Sequence, residues 1–493
     1  LCSSTENHPH RVINLPGAPK EPSFPLYAGY IEIKDHLNSH IPKNSSRHQM
    51  FYILCEAIRS DPLESPLVVW LNGGPGASSL LGFIMENGPY MLDTDGTLRY
   101  NDFSWNQYAN VLYIESPEFA GYSRGDGAQF STEDVWFQFG RILDDVYTAE
   151  LNKRFLQEFM TRVHPRYAKR DFFITGESYA GAYVPYFASS IFEGLMGQSR
   201  YPFTNDRFKG IAIGNPMMGV SPKFMASSVQ MFGMGWVEQK FGPEILKNWE
   251  KYGDSWDKNG YFLTNMYGGH VFSYIYNLHL TCHLNESSVI WHIGDHRTEN
   301  LECKWMDLSE RYFNRKDVQE SLHVIREGNT TVEWRAFNPH VSRAYHIVED
   351  TTLIYRNIFR FANDDFRILF YSGDLDLVCP AIHVARGARI IAKHYDLEEN
   401  EDAPKLWRYL GDFGGTQTSY RSANSSVTMD VLTVRGAGHL VPTHLPSRIF
   451  QVINNFIFAN ETQIDYSRKI RRRKLNKTKN LIEKEDAISR LLQ

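Results

Sequence analysis

One stretch, residues 172–181, constrains the fold of this chain more than any other. Residues 172–175 are apolar or β-branched, as a buried strand requires, and the residues from Tyr179 onward can begin a helix. Ser178 stands at the junction with glycine on both sides, and Ala180 takes the place of the last glycine of a strict G-x-S-x-G pattern. We interpret the stretch as a nucleophile elbow that presents the Ser178 hydroxyl. A serine with only a structural role in a glycine-rich turn is the alternative that this stretch alone leaves open.

Apolar segments typical of buried strands recur along the chain. They alternate with helical patterns, such as the one over residues 132–163. The strand-like segments are residues 27–33, 49–57, 67–71, 111–114, 172–175, 210–215, 368–371 and 431–434. The first two are expected to form a hairpin at the sheet edge. The alternation predicts an α/β fold with a doubly wound, mostly parallel sheet.

The pattern changes between residues 219 and 345, where aromatic residues, histidines and glycines crowd irregularly. We expect an inserted, largely helical cap there. The predicted organisation is a first part of the core with an N-terminal leader (1–218), the cap (219–345), a second part of the core (346–460) and a basic and polar C-terminal tail (461–493). The tail is expected to be disordered.

Two strand-like segments after the elbow each end in a polar loop. Asp374 and Asp376 follow the segment 368–371, and His439 follows the segment 431–434. A serine, an acid and a histidine therefore occur at carboxyl ends of strands in the order of an α/β-hydrolase. In this chemistry the histidine takes the serine proton, and a buried carboxylate holds the histidine in the correct tautomer. The residues alone leave the choice between the two aspartates open.

Composition restricts the class of protein. The formal net charge is −5, and charged residues make up 22% of the 493. These values give no reason to expect binding to nucleic acid or to an anionic membrane. No apolar run approaches the roughly 20 residues that span a bilayer. The chain begins at Leu1 rather than Met, which agrees with the removal of a targeting segment.

Glycosylation sequons favour the secretory route. The sequence N-x-S/T occurs at Asn44, Asn285, Asn329, Asn424, Asn460 and Asn476. Such sites are used in an oxidising, glycosylating compartment. The five cysteines are an odd number, so at least one is unpaired within the chain, and none has the spacing of a zinc site.

Several motifs together resemble the serine carboxypeptidase family, over roughly residues 24–459. The motifs lie at residues 70–76, 104–107, 176–181, 373–376 and 436–442. The resemblance implies an α/β-hydrolase fold and a peptidase that needs no metal or cofactor. It also implies that Asp376 is the acid of the triad with Ser178 and His439, and that the backbone amides of Gly74 and Tyr179 form the oxyanion hole.

The resemblance further assigns recognition of the substrate's C-terminal carboxylate to Asn72, as an amide donor, and to Glu86 and Glu177. This role is physically reasonable. Two close carboxylates cannot both stay charged cheaply, so the pair retains a proton and can donate a hydrogen bond to an anion. Without the resemblance, both glutamates would be interpreted as surface acids.

Three apolar residues resemble the pocket for the leaving residue: Leu81, Met85 and Leu440. Their character favours a hydrophobic C-terminal residue in the substrate.

The chain also departs from the family pattern. Ala77 stands where members usually carry a cysteine that pairs with one in the cap, which Cys303 resembles, so we expect Cys303 to pair with Cys282 instead. Phe119 occupies a loop that is usually richer in glycine, which predicts a narrower or reshaped acyl side of the site. Asn215 is followed by proline rather than glycine.

The predicted function is removal of C-terminal residues from peptides and proteins, through an acyl-enzyme, in an acidic lysosome-like or vacuole-like compartment or after secretion. Two alternatives remain open at this point: an acyltransferase on the same scaffold, and a protective protein that binds other lysosomal hydrolases. The sequence leaves monomer and homodimer equally open.

Overall fold

A central β-sheet organises the protein. The computed structural model describes residues 8–19, 24–34, 47–125, 143–196, 201–219, 276–277, 304–324, 332–347, 350–422, 427–460 and 463–470. The strands are β1 (Arg11–Val12), β2 (Leu26–Lys34), β3 (Arg47–Cys55), β4 (Leu67–Leu71), β5 (Tyr90–Leu92), β6 (Leu98–Tyr100), β7 (Asn110–Ile114), β8 (Arg124–Gly125), β9 (Leu143–Asp144), β10 (Phe172–Glu177), β11 (Phe208–Gly214), β12 (Tyr345–His346), β13 (Arg367–Gly373), β14 (Glu398–Glu399), β15 (Lys405–Tyr409), β16 (Asp412–Arg421) and β17 (Thr428–Val434).

Helices flank the sheet. The α-helices within the described ranges are α1 (Asp145–Glu158), α2 (Ala180–Leu195), α3 (Trp305–Phe313), α4 (Lys316–Ser321), α5 (Pro339–Ala344), α6 (Arg356–Phe361), α7 (Ala381–His394), α8 (Val441–His444) and α9 (Pro446–Ile457). The turn Gly82–Glu86 is a single π-helical turn that is buried throughout.

The main sheet runs in the order β1-β2-β3-β7-β4-β10-β11-β13-β17-β16-β14, with β8 beside β3 and β15 beside β16. The six strands from β7 to β17 in this order are parallel to one another, and the strands on either side of them are antiparallel. Because the carboxyl ends of parallel strands meet at one edge, the loops after β4, β10, β11, β13 and β17 converge there. The predicted mostly parallel α/β sheet is confirmed, and β2 and β3 pair antiparallel as predicted, with the two-residue strand β1 outside them at the edge.

Both faces of the sheet are buried, which explains the continuous apolar runs. In β4 the side chains alternate between two cores. Val69 belongs to the core that includes Leu151 of α1 and Phe187 of α2, whereas Trp70 belongs to the core that includes Val452 of α9. Helices on both faces are the usual covering of a parallel sheet. No helix among the residues described here is long and apolar enough to cross a membrane.

The predicted cap is described only in part. Residues 276–277 and the helices α3, α4 and α5 fall within the range 219–345, and most of the remainder lies outside the described residues. Phe313 of α3 and Val318 of α4 belong to the same core as Trp70, so this later part of the range packs directly against the sheet. The cap boundaries stay a prediction, as does the character of the tail, of which residues 463–470 are described.

Candidate active site

The elbow serine lies between β10 and α2, where the sequence predicted it. Ser178 has a φ of 62°, a left-handed conformation that is costly for a residue with a side chain. Its N–H donates to Gly214 O at 2.9 Å, and its carbonyl accepts from the N–H groups of Gly181 and Met217, each at 2.9 Å. These three bonds hold the turn, and the side chain is half-buried at the carboxyl edge of the sheet.

Glycines make the close packing of the elbow possible. A methyl group on Gly176 would lie 2.4 Å from Leu71 O and 2.6 Å from the Ala180 side chain, and one on Gly181 would lie 2.3 Å from Met217 O. Ala180 therefore fits because its neighbour Gly176 has no side chain. Gly181, rather than residue 180, is the position that lies directly against the loop after β11. The alanine at position 180 of the G-x-S-x-G pattern therefore leaves the turn intact.

His439 is held by Asp376. Its Nδ1 lies 2.7 Å from Asp376 Oδ2, and both side chains are buried. The carboxylate also accepts from Val378 N at 2.7 Å, Cys379 N at 3.1 Å and Asn215 Nδ2 at 2.7 Å. A carboxylate with this many donors is held in a fixed orientation. The Nδ1 bond leaves Nε2 as the nitrogen that can accept a proton.

The geometry distinguishes the roles of Asp374 and Asp376, between which the sequence alone could not choose. Asp374 Oδ1 accepts from Gly436 N at 2.6 Å and so ties the β13 loop to the β17 loop. Asp376 is the aspartate that contacts the histidine.

Asn215 orients Asp376, a role that the sequence did not reveal. Besides its bond to Asp376, its Oδ1 accepts from Gly373 N at 3.1 Å, and its own N–H donates to Tyr371 O at 2.7 Å. Its φ of 42° is one that asparagine tolerates better than most residues. One sequence signal could have indicated this role: Asn215 directly follows β11, the strand that lies between the strands leading to Ser178 and Asp376.

Tyr276, inside the predicted cap, also contacts the site. Its carbonyl accepts from His439 N at 2.6 Å, and its ring lies edge-on to the imidazole with centroids 5.3 Å apart. A methyl group on Gly438 would lie 2.1 Å from Tyr276 O, which explains the glycine before the histidine. No pattern in the sequence indicates this contact, because it joins segments far apart in the chain.

The proposed oxyanion hole lies where the β4 loop meets the elbow. A methyl group on Gly73 would lie 2.4 Å from Tyr179 N, so the loop that carries Gly74 runs directly against the start of α2. Gly74 has a φ of 113°, which a side chain would strain. Backbone N–H groups at the first turn of a helix favour a developing negative charge.

Gly73→Ala is expected to lower kcat at least tenfold, because the new methyl group must push the Gly74 amide away from the position that an oxyanion needs. The measurement is kcat with a blocked dipeptide, with the melting temperature recorded alongside. Gly96→Ala is the control: its φ of 81° makes the substitution cost stability, but nothing lies within 4 Å of the new methyl group, so the melting temperature should fall while kcat stays unchanged. Unchanged kcat in a folded Gly73→Ala enzyme would contradict this placement of the oxyanion hole.

A buried carboxylate that the sequence analysis missed supports this loop. Glu115 follows β7 and accepts from Ser78 Oγ at 2.6 Å, Ser79 N at 3.1 Å and Trp334 Nε1 at 3.0 Å. Burial raises the pKa of Glu115 to about 7, although these donors oppose the shift. Ser79 Oγ in turn accepts from Asn72 N at 3.2 Å, so Glu115 fixes the loop on which Asn72 stands.

Asn72, Glu86 and Glu177 meet in the core, as the resemblance implied. Asn72 Nδ2 donates to Glu86 Oε1 and to Glu177 Oε1, each at 2.9 Å. Asn72 Oδ1 accepts from Trp70 Nε1 at 2.8 Å and from Gly82 N at 3.1 Å. Both amide hydrogens of Asn72 are thus engaged by the two acids, and its carboxamide is held rigidly from the other side.

The two acids contact each other. Glu86 Oε2 and Glu177 Oε2 are buried and receive no hydrogen bond from another donor among the described residues, whereas the two carboxyl groups hydrogen-bond to one another. Burial raises the pKa of Glu86 above its ordinary value. Burial, and after it the negative charge of Glu86, raises the pKa of Glu177 well above its ordinary value. One proton shared by the pair satisfies both observations.

The three predicted pocket residues lie close to this pair. Leu81, Met85 and Leu440 are buried in the same core. Met85 belongs to the same π-helical turn as Glu86, and its carbonyl accepts from Thr443 Oγ1 at 2.9 Å, which joins the turn to α8. The structure places these side chains in one core, and their role in binding the leaving residue stays a prediction.

Two departures from the family pattern alter the loops beside the site. Phe119 has a φ of 72° and its carbonyl accepts from Asn338 Nδ2 at 2.9 Å, so a bulky residue is held in a conformation that favours glycine. Ala77 forms an antiparallel bridge with Phe337, so backbone hydrogen bonds join these segments.

The other predicted sites are only partly described. Asn460 is exposed after α9, whereas Asn44, Asn285, Asn329, Asn424 and Asn476 lie outside the described residues, as do Cys282 and Cys303. Within the described ranges no group of three or more His, Cys, Asp or Glu side chains could hold a metal ion.

Comparison with known proteins identifies relatives that match most of the chain. A family model described as serine carboxypeptidase matches residues 16–459. Serine carboxypeptidase ctsa-3.1 of Caenorhabditis elegans is 29% identical, over 91% of this chain and 88% of its own length. The lysosomal protective protein of Mus musculus is 29% identical, over 90% of this chain and 92% of its own length.

A solved structure shares the fold. Kex1(delta)p, a prohormone-processing carboxypeptidase from Saccharomyces cerevisiae, superimposes with a TM-score of 0.67 at 19% identity, over 92% of this chain and 96% of its own.

Proposed function

The chain belongs to the serine carboxypeptidase family, and we propose that it removes C-terminal residues through an acyl-enzyme on Ser178, with a proton shared by Glu86 and Glu177 recognising the terminal carboxylate. The observation that carries the proposal is the pair of buried, mutually hydrogen-bonded acids held by Asn72.

The first chemical step is acylation of Ser178. The serine oxygen attacks the carbonyl carbon of the last peptide bond while His439 Nε2 takes the hydroxyl proton, and Asp376 stabilises the resulting imidazolium. The amides of Gly74 and Tyr179 stabilise the negative oxygen of the tetrahedral intermediate. His439 then returns the proton to the leaving nitrogen, the C–N bond breaks, and the C-terminal residue departs. Water, activated by the same histidine, hydrolyses the ester.

An exopeptidase must also distinguish a chain end from an internal bond. Because both hydrogens of Asn72 are taken by the acids, we assign Asn72 the role of orienting the pair rather than donating to the substrate. When substrate binds, the protonated member of the pair donates to the substrate carboxylate instead of to the other acid. An internal peptide has no carboxylate to accept this bond and would leave the acid oxygens unpaired.

The shared proton gives the site a pH dependence with a definite sign. The pKa of each acid is raised, so the pair keeps its proton above the pKa of about 4.3 of an isolated glutamate. As pH rises through the upper pKa of the pair, the site loses a donor and gains a charge that repels the substrate carboxylate. At low pH the base must still be unprotonated, so acylation falls there. Peptidase activity is therefore expected to peak on the acidic side of neutral, which favours an acidic compartment of the secretory route.

Replacement of both acids tests this account. KM for a free-acid peptide is expected to rise between about pH 5 and 8 in the wild type, and the rise is expected to flatten in Glu86→Gln/Glu177→Gln, because glutamine is a donor without charge at every pH. The measurement is KM against pH for matched substrates that end in a free acid or an amide. For the amide the optimum should move to higher pH.

The control is Glu64→Gln, which removes an exposed acid far from the pair and should leave both profiles unchanged. Constant wild-type KM for free-acid peptides across this range would refute the shared proton. Addition of an alcohol to the same assay separates hydrolysis from acyl transfer, and preferential transfer would indicate an acyltransferase.

A further inference from the structure

The sheet register places Tyr371 beside the acid pair. Glu177 at the end of β10 pairs with Gly214 of β11, and Gly214 pairs with Tyr371 of β13. In parallel strands, residues in register point to the same face of the sheet. Phe173 and Leu369 confirm this face, since they lie in one core with Tyr371. Glu177 and Tyr371 thus share a face, one strand apart.

Gly214 opens the path between them. A methyl group built on Gly214 would lie 2.6 Å from Tyr371 Cζ and 2.7 Å from its phenol oxygen. The phenol group therefore lies across the β11 backbone, over the one residue of the row that has no side chain. Any larger residue at position 214 would exclude it.

The phenol oxygen is buried and open. Tyr371 is fully buried, and its oxygen has no hydrogen-bond partner within the part of the chain that the structure describes. Glu86 Oε2 and Glu177 Oε2 likewise receive no other donor from the described residues, but the two carboxyl groups hydrogen-bond to each other. A buried polar atom without a partner is costly, and the sheet register directs this phenol oxygen across Gly214 toward Glu177, which indicates a functional arrangement rather than a packing residue.

We propose that Tyr371 is a positioning residue for the acid pair, whose hydroxyl donates to the pair once the shared proton has left and so sets the pH at which substrate recognition is lost. The proposal rests on the function proposed above. Burial, and after it the charges of Glu177 and Glu86, raises the pKa of Tyr371 well above its ordinary value, so the phenol remains a donor throughout the working range.

Other charged groups also face the pair. His439 and His444 favour the charged form of Glu86, Asp376 disfavours that of Glu177, and Tyr113 of β7 lies close enough for Glu86 to affect its pKa. The Tyr113 hydroxyl donates to Asn87 Oδ1 at 2.8 Å. All of these groups are retained in Tyr371→Phe. A comparison of this variant with the wild type therefore measures the effect of the Tyr371 hydroxyl alone.

The direction of the effect follows from what the phenol stabilises. A donor to the fully ionised pair lowers its upper pKa, so Tyr371→Phe should raise that pKa by about one unit, the range for a hydrogen bond to a buried charge. KM for a free-acid peptide should then be unchanged near pH 5 and up to about tenfold lower than in the wild type near pH 8. General damage to the site would instead raise KM at every pH.

The experiment compares Tyr371→Phe with Tyr355→Phe. Tyr355 is also a fully buried tyrosine with an open hydroxyl, but it belongs to the core on the opposite face of the sheet and packs near Phe370. KM and kcat are measured from about pH 5 to 8 with free-acid and amide substrates, with melting temperatures recorded. Both variants should fold, because removing a buried hydroxyl that lacks a partner is nearly neutral.

The expected result is an upward shift of the KM rise for free acids in Tyr371→Phe alone, with the amide profile unchanged. A wild-type profile in Tyr371→Phe, a downward shift, or an equal shift in Tyr355→Phe would overturn the role of Tyr371. If KM for free-acid peptides does not rise with pH in the wild type, the proposed shared proton itself is wrong. Failure of the proposed function can therefore be distinguished from failure of the role of Tyr371.

Discussion

Ser178→Ala is expected to lower kcat/KM by several orders of magnitude while leaving the fold intact. The substitution removes the only atom that forms the acyl bond, so the remaining rate comes from substrate binding and the oxyanion hole. Folding should survive because alanine, like serine, carries a Cβ at the positive φ and the three backbone bonds of the elbow are unchanged.

The measurement combines turnover with active-site labelling. A fluorophosphonate probe should label the wild type and fail to label Ser178→Ala. Ser190→Ala is the matched control. Ser190 lies on α2, the helix that follows the elbow, where its hydroxyl donates to Phe187 O at 2.8 Å, so this variant should retain labelling and activity. Labelling that persists in Ser178→Ala would place the nucleophile elsewhere.

The α/β architecture could be predicted from the sequence because parallel strands are buried on both faces. Their continuous apolar runs, such as β4 and β10, therefore stand out from the rest of the chain. The order of Ser178, the aspartate pair and His439 followed from the same runs, because each lies just after a strand.

Side-chain contacts between loops could not be predicted in this way. Asp374 and Asp376 follow the same strand, and the choice between them depends on where the loop after β17 passes, which no local pattern encodes. The contact of Tyr276 with His439 joins residues far apart in the chain, and the burial of Glu115 depends on Trp334 from yet another segment. A charged residue such as Glu115 is expected at the surface unless it is paired, and the sequence does not show its partners.

Sheet register explains a further limit. Glu177 and Tyr371 lie in one row across strands β10, β11 and β13, with only Gly214 between them. This row depends on the order of the strands in the sheet, which no single segment of the sequence encodes. The resemblance to a family supplied Glu86 and Glu177 as a pair. The position of Tyr371 relative to this pair depends on the pairing of β10, β11 and β13.

Asp376→Asn is expected to lower kcat by about two to four orders of magnitude with little change in KM. In the wild type, Oδ2 accepts from His439, Asn215 and Cys379, whereas Oδ1 accepts from Val378. An asparagine at this position should therefore place its oxygen at the Oδ2 site, since the opposite orientation would direct its NH₂ group at three donors. His439 would keep its tautomer but lose the negative charge that stabilises the imidazolium.

This reasoning separates charge from orientation. Because the tautomer is retained, most of the loss should appear in kcat, and the fluorophosphonate should still label Ser178, only more slowly. Asp374→Asn is the control: its carboxylate accepts from Gly436 N outside the triad, so kcat should stay within about threefold of the wild type. The assignment of Asp376 as the acid is wrong if Asp374→Asn is the inactive variant, or if Asp376→Asn turns over at the wild-type rate, since the charge on Oδ2 is then not what stabilises the imidazolium.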